Sequence, residues 1–129
     1  MLIYIQRRKT VSQNFQAGDF LIFQIESGYG LLRILAIGEN ENGTVWHLAA
    51  YNEMFLDIEM ADAALADYQS LTICYPHLAL TNRAFESTQT ARMTNAPLTE
   101  NELKNLRDWE MNPQRKVSDL SVRLLLGLR

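Results

Sequence analysis

Apolar segments in the first half of the chain predict three consecutive β-strands. The segment from Asp19 to Glu26 is rich in aromatic and β-branched residues and alternates from Phe23 onward. Two further apolar segments follow, at 31–37 and 44–51, and turn signals containing glycine separate the three. Strands joined by short turns pair antiparallel, so the pattern predicts a three-stranded meander.

The second and third predicted strands are apolar at almost every position, which indicates that both faces of the sheet are covered. Either the sheet curls into a small barrel, or helices pack on its outer face. Apolar residues at helical spacing between Glu59 and Tyr68 predict one such helix. We therefore predict an α+β fold, a curled antiparallel β-meander (a small barrel-like sheet) with two or three peripheral helices, in a single domain spanning residues 1–129.

Several shorter segments give weaker patterns. Residues 2–6, 71–75 and 78–80 are predicted as short strands, residues 83–87 are a candidate for another, and residues 88–96 are predicted as a loop. Short apolar runs do not separate a strand from a helix by themselves, so these segments add little to the predicted topology.

The C-terminal third contains a helix start signal. Thr99 and Glu102 have the spacing of a capping box, in which each side chain accepts a hydrogen bond from the other residue's amide. The helix is predicted from Glu100 to about Met111, because Pro113 disfavours its continuation. The last apolar segment leaves two alternatives open, either a helix that ends at a glycine cap or a strand over residues 122–126.

Charge is distributed unevenly along the chain. There are 12 Lys and Arg against 15 Asp and Glu, a net charge of −3, which argues against a general polyanion binder. Residues 34–82 contain seven acids and no Lys or Arg. If these acids fold onto one side, they form a negative face that attracts a basic partner. The alternative is a solvated helix and loops whose charges point in different directions.

Cysteine content and hydropathy bear on the compartment. The chain has one cysteine, Cys74, so it has no internal disulfide framework. No apolar run approaches the about 20 residues of a membrane helix. The N-terminal order of apolar residues before cations is the reverse of a signal peptide. These features predict a cytoplasmic protein without a membrane segment.

Groups that could carry catalysis or bind a metal are few. Cys74 and His77 form a C-x-x-H pair, and His47 is the only other histidine, which is too few ligands for a zinc site. Cys74 is interpreted instead as a small core residue. An enzyme that pairs Cys74 with His47 or His77 stays an alternative. We predict no metal and no cofactor, and we favour a non-catalytic protein.

Arg33 is a lone cation in an apolar strand. If Gly28 and Tyr29 form the turn before it, Arg33 lies opposite Gln24 and diagonal to Glu26. This predicts either a cross-strand ion pair or a side chain whose stem lies on the apolar surface while its guanidinium reaches solvent. The alternative is that Arg33 and Tyr29 belong to the ligand-binding surface of a barrel domain that takes a small molecule or a nucleic acid.

The basic triplet at residues 7–9 is the feature that most favours nucleic acid. It lies beside Tyr4, and Tyr29 and Trp46 are candidate exposed aromatic residues for stacking on bases. The acidic middle of the chain would repel a phosphate backbone, so we do not expect nucleic acid to be the partner.

One stretch of the chain carries a recognisable motif. It has Gly18-Asp19 before an aromatic-rich strand, a Gly-Tyr-Gly sequence at 28–30, and Arg33 within the return strand. This stretch resembles the opening hairpin of the immunity protein 26 family of bacterial polymorphic toxin systems. The resemblance, confined to this hairpin, implies a non-catalytic, antitoxin-like protein that neutralises a toxin domain by binding it.

The acidic middle segment supplies the predicted contact surface. A toxin domain with a basic cleft would be complementary to such a segment in charge. The predicted contact residues are Glu53, Asp57, Glu59, Asp62 and Asp67. Trp46 or Tyr51 is the candidate aromatic anchor, while packing in the core is the favoured alternative for both rings.

Overall fold

A five-stranded antiparallel sheet forms the centre of the fold. The computed structural model describes residues 14–127, so the predicted strand at 2–6 and the basic triplet at 7–9 lie outside the described residues. The strands are β1 (Asp19–Ile25), β2 (Gly28–Asn40), β3 (Gly43–Phe55), β4 (Ile73–Thr81) and β5 (Thr90–Asn95). Their order in the sheet is β4-β3-β2-β1-β5.

Four short helices flank the sheet within the described part of the chain. They are α1 (Ile58–Leu65), α2 (Asn82–Glu86), α3 (Lys104–Met111) and α4 (Val122–Leu125), with a 3-10 turn at Tyr68–Ser70. The α+β class is as predicted, with one or two more helices than expected. Among residues 14–127, no helix has the length and apolar character needed to span a bilayer.

The predicted meander is confirmed. β1 pairs with β2 and closes where Ile25 faces Gly28, and β2 pairs with β3 and closes where Asn40 faces Gly43. Gly43 adopts a φ of +120°, a conformation that is open to glycine but rare for other residues. The strands β2 and β3 are each several residues longer than the apolar runs from which they were predicted.

Helices cover both faces of the sheet, as the continuous apolar strands predicted. On one face, Leu32 and Leu48 belong to a buried cluster that includes residues of α2 and α4. On the other face, α1 covers Ile22 and Leu31, and α3 covers Leu35. The edge strands β4 and β5 do not pair with each other, so the curled sheet stays open rather than closing into a barrel.

Residues 83–86 are helical and Ser87 is the C-cap, so the assignment of residues 83–87 as a candidate strand is wrong. The hydroxyl of Thr81 caps α2 by accepting a hydrogen bond from the amide of Ala84 at 3.1 Å. Helix α2 then buries Ala84 and Phe85 against the sheet. The N-cap at Thr81 and the packing of α2 against the sheet therefore make this segment a helix rather than a strand.

The predicted loop at 88–96 contains a strand. Strand β5 pairs antiparallel with β1, with Thr90 opposite Phe23 and Ala91 opposite Ile22. Its side chains are exposed or half-buried, so it lacks the apolar alternation that marks a half-buried strand. The two short strands predicted around Pro76 are one strand, β4, whose register against β3 is irregular at this point.

The capping box is confirmed. The amide of Thr99 donates to the Glu102 carboxylate at 2.8 Å, and the amide of Glu102 donates to the Thr99 hydroxyl at 3.2 Å. Turns occupy the next residues, so α3 begins at Lys104 rather than at Glu100. The last apolar segment, for which a helix and a strand were both left open, forms helix α4. Gly127 follows this helix at a φ of +73°.

Candidate protein-binding surface

The acids of the cation-free segment form two groups at opposite ends of β3. Glu39 and Glu41 lie at the tip of the hairpin between β2 and β3. The other five lie at the far end of β3 and in the region of α1, and we call this group the acidic end: Glu53, Asp57, Glu59, Asp62 and Asp67. About ten residues of strand separate the two groups, which corresponds to roughly 30 Å. Glu53 and Asp57 therefore lie at the far end of β3, and Glu59 and Asp62 lie on α1. Asp67 precedes Tyr68, whose ring packs against Phe20 and lies 5.0 Å from the guanidinium carbon of Arg33, nearer the middle of the sheet.

Local structure explains why α1 presents acids to solvent. The helix buries Ala61 and Leu65, which are one turn apart, against the sheet. Glu59 and Asp62 therefore point away from the core and are exposed. Asp57 is the N-cap of the helix, and its carboxylate accepts a hydrogen bond from the amide of Met60 at 2.8 Å. A carboxylate at this position is also favoured by the helix dipole.

Glu53 links the end of β3 to the segment before β4. Its carboxylate accepts a hydrogen bond from the amide of Thr72 at 2.9 Å. The neighbouring amide of Asn52 donates to the carbonyl of Thr72 at 2.8 Å. Asp67, the residue before the 3-10 turn, is exposed and makes no side-chain capping bond. The five acids are thus held on ordered backbone.

The acidic end receives no ion pair from the described residues. Ion pairs between residues 14–127 use acids of the C-terminal third, namely Glu100, Glu102, Asp108, Glu110 and Asp119. Arg83, Lys104 and Arg107 thus pair with acids of their own region, and Arg33 pairs with Glu102 of that region.

The structure buries both predicted aromatic anchors. Trp46 is 5% exposed, its ring stacks on Phe85 with centroids 3.9 Å apart, and its Nε1 donates to Asn82 at 2.9 Å. Tyr51 is buried beside Phe20 on the opposite face of the sheet. The expectation that these residues offer exposed aromatic surface is wrong, because apolar contacts on the two faces take up both rings.

Sequence reasoning missed a set of exposed apolar side chains at the acidic end. We call this set the apolar row: Met54, Leu56, Ile58 and Met60. Leu56 is 76% exposed and Met54 is 57% exposed. The signal lay in the sequence, where acids and apolar residues interleave from Glu53 to Met60 across the end of β3 and the start of α1. A strand with one buried face shows the same alternation of apolar and polar residues. The sequence pattern therefore does not reveal that the apolar side chains of this segment are exposed.

Arg33 lies elsewhere than predicted. The turn between β1 and β2 consists of Glu26 and Ser27, so Arg33 pairs with Phe20 rather than with Gln24. Its ion-pair partner is Glu102, the acid of the capping box, and not Glu26. The register shift follows from the turn position, since moving the turn changes every facing pair of the hairpin.

The guanidinium of Arg33 is enclosed by the protein. The side chain is 1% exposed, and its Nη2 donates to the carbonyl of Ala96 at 2.8 Å and to that of Pro97 at 3.3 Å. The rings of Phe20 and Tyr68 lie 4.6 and 5.0 Å from its central carbon. Arg33 therefore joins the segment before α3 to the sheet.

Tyr29 lies apart from Arg33 on β2. It is half-buried and pairs with Gln24 on one side and Phe55 on the other. A recess of about 260 Å³ does lie beside Arg33, between the sheet and the start of α3, and Tyr51 rather than Tyr29 lines it. The two predicted ligand-binding residues are thus not brought to one pocket.

The two histidines meet on the face of the sheet covered by α3. Nδ1 of His47 and Nε2 of His77 are 2.9 Å apart, and the ring of Trp109 contacts both imidazoles. Cys74 is exposed, so its interpretation as a core residue is wrong. Within the described part of the chain, no three His, Cys, Asp or Glu side chains come together to hold a metal ion.

Burial keeps the histidine pair neutral. It lowers the pKa of His77 from 6.5 to about 4, the nearby His47 acts in the same direction, and Glu110 opposes both. Burial likewise lowers the pKa of His47, again against Glu110. Arg115 stacks at 5.7 Å on Trp109, beside the pair. The folded protein therefore resists protonation of these rings, while the unfolded chain does not.

This difference predicts a pH dependence of stability. Below about pH 6.5 the unfolded chain takes up protons that the folded chain refuses until about pH 4. The free energy of unfolding should therefore fall as the pH is lowered through this window. Urea unfolding at a series of pH values should show a shallower fall for His77→Gln. Parallel profiles for the two proteins would contradict the assignment, since the carboxylates titrate in both.

The acidic end and the apolar row together form the candidate protein-binding surface. They are continuous in the chain from Glu53 to Asp62, and the hydrogen bond from Thr72 to Glu53 brings the start of β4 beside them. Comparison of the chain with family models, curated proteins and solved structures finds no match. The surface is therefore interpreted from its own charge, burial and geometry.

Proposed function

We propose that this chain is a non-catalytic, cytoplasmic protein-binding module of the immunity or antitoxin type. Its acidic end binds a basic surface on a protein partner. A toxin domain with a basic cleft is the partner that the hairpin resemblance suggests. The observation that carries the proposal is the set of five acids at the end of β3 and in the region of α1, none of which forms an ion pair with another described residue.

The negative charge of the acidic end would speed association with a basic partner. Charge of a single sign on one surface steers an oppositely charged partner and raises the association rate. The carboxylates of Asp57 and Glu53 are held by hydrogen bonds from backbone amides, so these two side chains lose little conformational entropy when they meet a cation. Such a surface suits rapid capture of a basic protein.

The ligand-binding or nucleic-acid-binding barrel is less well supported. The sheet is open, and the guanidinium of Arg33 already donates to Glu102 and to two carbonyls. The recess beside it, about 260 Å³, is below the usual range of roughly 300–1,000 Å³ for ligand pockets. The alternative of an enzyme that uses Cys74 gains no support from His47, whose Nδ1 faces His77.

Charge reversal with a matched control tests the proposal. The double variant Glu59→Lys and Asp62→Lys should lose the basic protein that the immobilised wild-type chain retains from a native lysate at low salt. The control, Glu39→Lys and Glu41→Lys, makes the same change in net charge at the hairpin tip and should retain it. Quantitative mass spectrometry of the retained proteins gives the comparison, and salt should reduce retention by wild type and control alike.

Two results would contradict the proposal. Equal loss of retention in both double variants would mean that net charge alone matters, and that the acidic end has no special part. Equal retention in both would mean that the acidic end is not a contact surface. All four positions are exposed, so both proteins should fold as the wild type does, which circular dichroism verifies.

A further inference from the structure

We propose that His47 and His77 form a pH-sensitive switch, which holds the end of α3 on the sheet when both imidazoles are neutral and releases it when both are protonated. We call the released part the α3 flap, residues 109–117. It lies between Leu106, which is buried, and Ser118, whose amide donates to the carbonyl of Ala79 in β4 at 2.8 Å. The proposal does not rest on the proposed function, since none of these residues belongs to the acidic end.

The contact between the two imidazoles needs one donor and one acceptor. Nδ1 of His47 and Nε2 of His77 are 2.9 Å apart, and a neutral imidazole carries its proton on only one of its nitrogens. One added proton still leaves an acceptor in the contact. Protonation of both rings makes every ring nitrogen a donor, so two N–H groups would face each other and the contact would be lost.

Trp109 connects the imidazole pair to α3. Its ring meets that of His47 edge-on with centroids 4.8 Å apart, and it lies 5.6 Å from the ring of His77. Its Nε1 donates to the carbonyl of Lys116 at 2.9 Å, which ties the chain after α3 to the same indole. Charged rings are favoured in water, so protonation favours conformations in which Trp109 no longer packs on them.

The α3 flap has little other apolar attachment to the sheet. Helix α3 covers the smallest of the three buried clusters, whose buried members are Leu35, Ala49 and Leu106. Within the flap, residues 110–116 are all exposed. The start of α3 is held separately by the ion pair between Arg33 and Glu102. Segments with few buried apolar contacts open at a lower free energy than the whole fold, so the flap can open while the sheet stays paired.

Charged groups reach the pair from the hairpin tip, from α3 and from the chain after α3. Glu39, Glu41, Glu110 and Arg115 line a cavity of about 600 Å³ together with His47. Residues 43–52 of β3 and all of β4 contain no Asp, Glu, Lys or Arg. The remaining charged side chains of α3 and the flap are exposed, namely Lys104, Arg107, Asp108 and Lys116.

Burial, rather than these charges, keeps the rings neutral. Three carboxylates against one guanidinium in the cavity favour protonated imidazoles. Burial has the larger effect, since the pKa of His77 is about 4 and that of His47 is also lowered in spite of Glu110. Opening of the flap removes the burial and leaves the carboxylates beside the rings. Acid therefore favours the open form.

Native-state amide exchange at pH 7.5 and pH 5.0 tests the switch. The opening constant of the flap should rise about tenfold or more between these values, because the released His77 takes up a proton that the packed ring refuses. Each exchange rate is compared with that of an unstructured chain at the same pH. Exchange at the end of α3 should be insensitive to low urea, since a local opening exposes little surface, whereas exchange in β2 and β3 should increase with urea.

His77→Gln removes a proton-binding site while its amide can still hydrogen-bond to Nδ1 of His47. Exchange of the flap in this variant should match the wild type at pH 7.5 and should depend much less on pH. Asp108→Asn, which changes an exposed acid of the same helix, should retain the wild-type dependence on pH. Trp109→Ala removes the connection to the pair and should leave the flap open at both pH values.

A titration of the wild-type imidazoles decides the question even if His77→Gln fails to fold. The chain has only two histidines, so their NMR signals report the pair directly. Both midpoints should lie below about 6.5, and signals of the flap should change in the same pH range. Rings that titrate at an ordinary pKa would overturn the switch. So would flap amides that exchange with the rate and urea dependence of β2 and β3, or a pH dependence that persists in His77→Gln.

Discussion

Replacing Arg33 with alanine should lower the free energy of unfolding by about 3–5 kcal/mol, the usual cost of breaking a buried ion pair. The substitution removes the cation that lies against the rings of Phe20 and Tyr68 and leaves Glu102 without its partner. It also frees two backbone carbonyls that accept hydrogen bonds from the guanidinium. Equilibrium unfolding in urea measures the loss.

Arg107→Ala is the matched control for Arg33→Ala. Arg107 also forms ion pairs, with Glu100 and Glu110, but it lies on the exposed side of α3 and should change stability little. The variant Glu102→Gln should fall between these two, since the amide keeps part of the hydrogen bonding. If Arg33→Ala proved as stable as Arg107→Ala, Arg33 would be a surface residue and its assignment to the core would be wrong.

Trp46→Ala should destabilise the fold by about 3–5 kcal/mol, as is usual when a buried aromatic residue is truncated. The indole fills the space between β3 and α2, where it stacks on Phe85 and contacts Phe15 at a centroid distance of 6.0 Å. Thermal and urea unfolding should both register the loss. Trp109→Ala, which truncates a half-buried indole, should cost less.

A second substitution of Trp46 distinguishes a residue of the hydrophobic core from a residue of the binding surface. Trp46→Phe preserves most of the apolar volume, so it should fold and should bind the partner as the wild type does. An exposed anchor would give the reverse pattern, with stability unchanged and binding lost. Stability of Trp46→Ala equal to that of the wild type would therefore contradict the burial of this residue and restore the anchor hypothesis.

Local signals account for the parts of the fold that the sequence predicts correctly. The hairpin at Gly43 and the capping box of Thr99 and Glu102 depend on residues close in sequence, and both are confirmed. The covering of both sheet faces follows from β2 and β3, whose central positions are buried without alternation. Each of these features is determined within a short window of chain.

Tertiary contacts account for the parts of the fold that the sequence does not predict. Strand β5 is mostly polar and is extended because it pairs with the far edge of β1. The partner of Arg33 depends on where the first turn closes and on how α3 lies across the sheet, neither of which composition reveals. The exposure of Cys74 likewise follows from its position on edge strand β4.

The candidate protein-binding surface also has a part that the sequence predicts and a part that it does not. Its acids were predicted from charge alone, and the structure puts Glu53 and Asp57 at the end of β3 and Glu59 and Asp62 at exposed positions of α1. For Trp46 and Tyr51 the sequence left core packing and an anchor role open, because an aromatic residue in a strand does not reveal whether it faces the core. The structure assigns Trp46 and Tyr51 to the interior and leaves methionine, leucine and isoleucine side chains at the surface.

The dependence of the association rate on ionic strength tests the central claim most directly. With the partner retained in the capture experiment, stopped-flow mixing should show a rate that falls steeply with added salt for the wild-type chain and for Glu39→Lys with Glu41→Lys. The rate for Glu59→Lys with Asp62→Lys should be slower and much less sensitive to salt. A wild-type association rate that does not change with ionic strength would contradict an electrostatic role for the acidic end.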